Sequence, residues 1–220
     1  MEMEMKKIAV ILSGCGVFDG SEIHEVVLSL LAIEQNGAEW VCFAPNIYQH
    51  HALEHSTGTE HIDSRHVMEE SSRLSRGEIS DVVTLDANDF DALIVPGGFG
   101  AAKNLSNFAL DSAMFEINSH VLKACKSFKK ATKPTGFMCI SPVMLPAIYG
   151  KGVKCTIGND TKVADFIESQ GGKHVNCMTQ DIIWDDINKV GTTPAYMTAK
   201  NILEVQKGIS KLIEKVISES

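Results

Sequence analysis

The feature that most constrains this chain is a recurring short apolar run that stops on glycine or proline. "KIAVILSGCG" (7–16), "DALIVPGG" (91–98) and "TGFMCISP" (135–142) are three such runs. None alternates apolar with polar residues, so none reads as a strand with one wet face. They read as strands buried on both faces, the pattern of a parallel sheet covered by helices. Between the first run and "WVCFAP" (40–45) lies "SEIHEVVLSLLAIEQNG" (21–37), with Ile23, Val26, Val27, Leu30 and Leu31 at helical spacing. Ser21 is placed to cap that helix and Asn36-Gly37 to close it. This βαβ opening predicts an α/β sandwich with a mostly parallel sheet.

Further along, the pattern predicts helices over 64–74, 112–133, 161–170 and from about 195. It also predicts a helix after Ser141, limited by Pro146. Strands are expected at "DVVTLDA" (81–87) and 155–157, with a hairpin at Asp185-Asp186. At 220 residues and 44% apolar composition, the chain is long enough for one domain with a full core, 1–220. A formal charge of −8 argues against nucleic acid and anionic membrane as partners. No apolar run reaches the roughly 18 residues of a membrane span. The N-terminal "MEMEMKK" lacks the apolar core of a signal peptide. Six cysteines without a Cys-x-x-Cys pair fit free thiols in a reducing, cytoplasmic setting.

Cys139 stands where an apolar strand gives way to "SPVML". A thiol at that junction is lifted to the carboxyl edge of the sheet, where open α/β sheets bind ligands. Gly136 and Ser141 supply the compact neighbours that a tight elbow needs. A helix N-terminus beyond it would favour the thiolate. The alternative is a core cysteine at a strand end. The glycine pair Gly97-Gly98 follows another strand. It is either a simple tight turn or a nest whose N–H groups, with that of Ile140, form an oxyanion hole beside Cys139. In "GSEIHEVVL", Glu22 and Glu25 lie three apart on one helix face, with His24 between them. A poorly hydrated carboxyl near a sulfur has a raised pKa and can shuttle protons. The alternative is a solvated first turn, where acids are favoured in any case. The histidines at 50, 51, 55, 61 and 66 form no metal motif and read as a solvated segment.

Taken together, "VILSGCGVFDGSEIHE", "LIVPGGFGAAKNLSNFA", "GFMCISP" and "TTPAYM" resemble the ThiJ/PfpI superfamily, related to class I glutamine amidotransferases. More narrowly, they resemble its ElbB glyoxalase branch, over nearly the whole chain. The resemblance implies a flavodoxin-like sandwich, usually dimeric, with Cys139 as the reactive residue. It implies Glu25, counted back from Gly37, as the acid that contacts the sulfur, and the backbone of Gly98 and Ile140 as oxyanion donors. Many relatives carry a histidine directly after the cysteine or on the next strand. Here those positions are Ile140 and, by approximate alignment, Ile157, which weakens a protease or amidase reading. His24 adjoins Glu25 and should point elsewhere on the helix. The implied reaction is conversion of a small dicarbonyl, glyoxal, to its 2-hydroxy acid without metal or redox cofactor. Two alternatives stand beside it. One is a thiol redox sensor in which Cys15 resolves Cys139. The other is a non-catalytic partner protein linked to isoprenoid metabolism.

Overall fold

The computed structural model describes residues 5–220. In chain order the elements are β1 (Lys7–Ile11), α1 (Ile23–Gln35), β2 (Glu39–Ala44), α2 (Val67–Leu74), β3 (Ile79–Asp81), β4 (Ala92–Val95), α3 (Phe99–Lys103) and α4 (Ser119–Lys130). They continue as β5 (Thr135–Met138), α5 (Leu145–Tyr149), β6 (Lys154–Cys155), α6 (Thr161–Ser169), β7 (Lys173–His174), β8 (Ile183–Asp185), β9 (Val190–Thr193) and α7 (Ile202–Ser218). Seven strands form one sheet in the order β3-β2-β1-β4-β5-β9-β8, while β6 and β7 pair separately. All neighbours in the large sheet run parallel except β8 against β9. This is the expected α/β sandwich.

Two apolar clusters cover the faces. One packs α4, α5 and α6 residues such as Phe128, Ile148 and Ile167 against Phe137 and Leu93. The other packs α1 and α7, through Val26, Ile33, Ile209 and Leu212, against Val10 and Ile94. Strand order reverses beside β1: β2 and β3 lie on one side, β4 and β5 on the other. At such a switch point the loops diverge and leave a crevice beyond the strand carboxyl ends.

Several boundaries differ from the sequence reading. Glu22, rather than Ser21, caps α1, because its carboxylate accepts from the N–H of Glu25 at 2.7 Å. Ser21 is buried instead, and its hydroxyl accepts from the N–H of Ser13. Ile23, Val27 and Leu31 are exposed, and the face of α1 that packs inward carries Glu25 and Ser29 as well as Val26, Leu30 and Ile33. The helix expected over 112–133 begins only at Ser119, capped by Asn118. The strand expected at 81–87 is mostly two 3-10 turns, whose starts Asp81 and Asp86 cap with their side chains. The last helix starts at Ile202, after a 3-10 turn at Ala195–Met197.

Candidate active site at the carboxyl edge of the sheet

Cys139 follows β5 immediately and adopts φ +59°, a left-handed conformation uncommon outside glycine. Its surroundings hold it there. Its N–H donates to Thr193 O on the adjacent β9 at 3.1 Å. The hydroxyl of Ser141 accepts from Met138 N at 3.0 Å and lies 2.9 Å from both Val95 O and Met138 O. The sulfur is thereby turned away from the strand and over the edge of the sheet.

Gly97 packs directly beneath it. A Cβ on Gly97 would sit 2.4 Å from Cys139 Cβ, 2.8 Å from Glu25 Oε2 and 2.9 Å from Cys139 Sγ, so only glycine lets the three groups converge. Gly98 needs glycine for a second reason. Its φ is +89°, and a side chain there would strike the backbone of Gly20 and Glu22.

Glu25 is fully buried and reaches the same point from α1. Its Oε2 accepts from Gly97 N at 2.9 Å and its Oε1 from Tyr196 N at 3.3 Å. Its Oε2 and the Cys139 sulfur share the space above Gly97. Burial, reinforced by the charge of Glu22, pushes Glu25 up to about 7, against the pull of these hydrogen bonds. Burial, reinforced by the charge of Glu25, also raises the Cys139 thiol well above its ordinary value. The N–H groups of Gly98 and Ile140, on either side of the sulfur, pull the other way without prevailing. Each anion repels the other, so the pair titrates as one unit and retains a shared proton through neutral pH.

This corrects the expectation that a helix start would leave Cys139 ionised. The segment after it is a 3-10 turn, Ser141–Met144, leading into the five-residue α5. A helix that short supplies little dipole, and desolvation outweighs it.

A cavity of about 330 Å³ opens above the sulfur, lined by Gly98, Cys139, Ile140, Tyr196 and a wall of apolar side chains. Cys15 is not among its lining residues; it is half-buried, and the charges acting on it belong to Glu70, Arg73, Asp19 and Arg65. His24 also lies outside the lining, exposed on α1, with Nδ1 2.7 Å from the Tyr196 hydroxyl. Ile157 is buried in the core, its N–H donating to His174 Nε2. Tyr196 is the residue that sequence reasoning missed. It sits in "TTPAYM", and the segment after β9, the strand beside β5, must arrive at the same edge.

A sharp strand-to-turn cysteine, a glycine pair and a buried helix-borne acid on a flavodoxin-like sheet define the class: an amidotransferase-like fold with a thiol at the elbow after β5. No protein-family model matches the chain. The human "Glutamine amidotransferase-like class 1 domain-containing protein 3, mitochondrial" is 39% identical over 221 residues, spanning 96% of this chain and 82% of that protein. The rat "ES1 protein homolog, mitochondrial" is equally similar, 39% identical over 96% of this chain and 83% of its own. The chain belongs to the glutamine amidotransferase-like class 1 family, on the DJ-1/ThiJ/PfpI fold.

A crystal structure described as an isoprenoid biosynthesis protein with amidotransferase-like domain, from Ehrlichia chaffeensis, superposes with TM-score 0.91 at 36% identity over 97% of this chain and 99% of that one. Glyoxalase III from Candida albicans superposes with TM-score 0.61 at 16% identity over 98% and 97%, a likeness of fold alone. The cytoplasmic expectation is corrected by these relatives, since the human and rat proteins are both named mitochondrial. Free thiols and an acidic composition do not distinguish one reducing compartment from another. Among the described residues, no helix is long and apolar enough to cross a membrane.

Proposed function

We propose that the chain converts a 1,2-dicarbonyl to the corresponding 2-hydroxy acid, with Cys139 as nucleophile and Glu25 as proton carrier. The observation that carries this reading is the convergence of the Glu25 carboxyl and the Cys139 sulfur on Gly97, at the floor of a cavity that Gly98 and Ile140 also line. Glu25 takes the thiol proton as sulfur adds to an aldehyde carbon, giving a hemithioacetal. The N–H groups of Gly98 and Ile140, which face the sulfur, are within reach of the new oxyanion. Glu25 passes the thiol proton on to that oxyanion and, as a carboxylate again, removes the C–H proton of the same carbon and returns it to the neighbouring carbonyl carbon, while the hydroxyl proton moves to the neighbouring oxygen. One carbon is oxidised and the other reduced, so no external oxidant enters. The product is a 2-hydroxyacyl thioester, and water cleaves its C–S bond to release the acid and the thiol.

A pKa near 7 suits Glu25 to this work, because it can both accept and give a proton near neutrality. The absence of a histidine at Ile140 and Ile157 is tolerable here. No amine leaving group needs protonation, and the carboxyl itself contacts the sulfur.

The test is turnover of glyoxal to glycolate, followed by proton NMR, for the wild type, Cys139→Ser and Glu25→Gln. The expected result is loss of the reaction in both variants with the fold retained. Glycolate formation by Cys139→Ser at the wild-type rate would remove the thiol from the chemistry and overturn the proposal.

A further inference from the structure

The cavity over Cys139 is larger and more apolar than a two-carbon dialdehyde requires. Its walls are Val17, Phe99, Phe108, Val163 and Met197, closing around Ile140 and the sulfur. The Phe108 ring is fixed from behind by Phe166 of α6, with centroids 4.7 Å apart, and Phe115 braces the same ring of Phe166 at 5.2 Å. This wall is therefore preformed. Liquid water occupies about 30 Å³ per molecule. In a cavity of about 330 Å³, glyoxal would leave most of the space to water held against hydrocarbon.

The charges agree. Among the described residues that line the cavity there is no lysine or arginine, and Asp160 alone carries a charged side chain. Its Oδ1 is engaged in capping α6, accepting from Val163 N at 3.0 Å. A substrate bearing a carboxylate or phosphate would meet that carboxylate and no cation. A neutral hydrocarbon substituent would meet only matching walls.

We infer that the preferred substrates are 2-oxoaldehydes carrying an uncharged aryl or branched-alkyl group, which fills the cavity while the aldehyde carbon meets Cys139. The inference rests on the dicarbonyl reading of the same site. The sulfur bonds to the aldehyde carbon. The proton of that carbon passes through Glu25 to the adjacent carbon bearing the substituent. Water then breaks the C–S bond, giving the aryl- or alkyl-substituted 2-hydroxy acid.

Two measurements test it. Values of kcat/KM for glyoxal, methylglyoxal, isobutylglyoxal and phenylglyoxal should climb along the series, by roughly tenfold or more from first to last. A flat or falling series overturns the inference while leaving glyoxal conversion intact. Ala109 lines the cavity from an exposed loop position. Ala109→Trp should therefore lower the ratio of phenylglyoxal to glyoxal turnover several-fold, and an unchanged ratio counts against this cavity as the seat of the substituent. The second measurement needs no chemistry: ligand-detected NMR of acetophenone and benzoylformate with Cys139→Ala. Saturable binding of the neutral ketone, with the anion bound at least tenfold more weakly (about 1.4 kcal/mol), supports the inference. No saturable acetophenone binding, or preference for the anion, overturns it. If no dicarbonyl is turned over by the wild type, the reaction reading fails, and the acetophenone result still decides what the cavity accepts.

Discussion

Gly97 donates its N–H to Glu25 Oε2 at 2.9 Å, and the space where its side chain would begin is shared by that oxygen and Cys139 Sγ. A residue without a side chain is thus the surface on which acid and thiol meet. Gly97→Ala would place a methyl 2.4 Å from Cys139 Cβ, and that neighbour is held by the backbone of a strained elbow. The expected cost is about 1–3 kcal/mol in unfolding free energy, read from a denaturant midpoint. Glyoxal conversion should fall further than stability does, since the methyl drives Glu25 and Cys139 apart.

Glu25 makes stability depend on pH. In the folded chain its pKa is about 7, against 4.5 for an ordinary glutamate. Between these values the native state holds the proton more firmly than the unfolded state. Stability is therefore highest below about pH 4.5, as far as this group is concerned. It falls as pH rises to about 7, then levels off. The shift corresponds to about 3 kcal/mol. Glu25→Gln removes the titrating group and keeps an oxygen for Gly97 N–H. It should raise stability at about pH 8 by about 1–3 kcal/mol, with no gain at about pH 5. Thermal melts of both proteins at the two pH values check this. A gain of equal size at both would show that charge burial is not its source.

The same substitution should separate thiol reactivity from turnover. Burial raises the Cys139 pKa most, and the negative charge of the neighbouring Glu25 raises it further. Removing that charge lowers the pKa, and each unit is about tenfold in thiolate. Alkylation of Cys139 by iodoacetamide at about pH 8 should therefore accelerate by about tenfold in Glu25→Gln, while glyoxal conversion is lost. Mass mapping distinguishes Cys139 from the half-exposed Cys15 and Cys177. Slower alkylation in the variant would mean that Glu25 promotes the thiolate instead of opposing it.

The architecture was readable because β1, β4 and β5 are short and apolar apart from Lys7 and Thr135 at their first positions, and glycine or proline follows within a few residues of each end. Cys139 was readable for the same reason, since strand and turn chemistry meet on that residue. Its acidity was not. The sign of the shift depends on how completely the sulfur is dried and on which charge lies beside it. The charge comes from α1, more than a hundred residues away in sequence, and the burial from several elements that meet only in the fold. Glu25 itself contradicts local pattern reading: an acid on the inward face of a helix looks like a solvated first turn until Gly97, in the turn after β4, supplies the N–H that holds it. Tyr196 went unnoticed because its contribution to the acid is a backbone N–H, which no side-chain pattern reveals.

Ser141 should prove as important to the elbow as the residues that touch substrate. It is fully buried, and its hydroxyl accepts from Met138 N while lying within hydrogen-bonding distance of Val95 O and Met138 O. One oxygen thus ties the end of β5 to the end of β4, with Cys139 held at φ +59° in between. Ser141→Ala leaves a buried donor and acceptors unsatisfied, which costs about 1–3 kcal/mol. In a domain of this size that lowers the melting temperature by about 2–4 °C per kcal/mol. The elbow is strained, so part of the loss should appear as relaxation of Cys139 toward ordinary backbone angles, with the sulfur swinging away from Gly98 and Ile140. The expected signature is a drop in glyoxal kcat with KM little changed, because the cavity walls do not involve Ser141. Ser141→Thr keeps the hydroxyl and should recover kcat if the hydrogen bonds, and not the volume, set the geometry. A destabilised Ser141→Ala protein with unaltered kcat would show that the elbow is held by Thr193 O and packing alone.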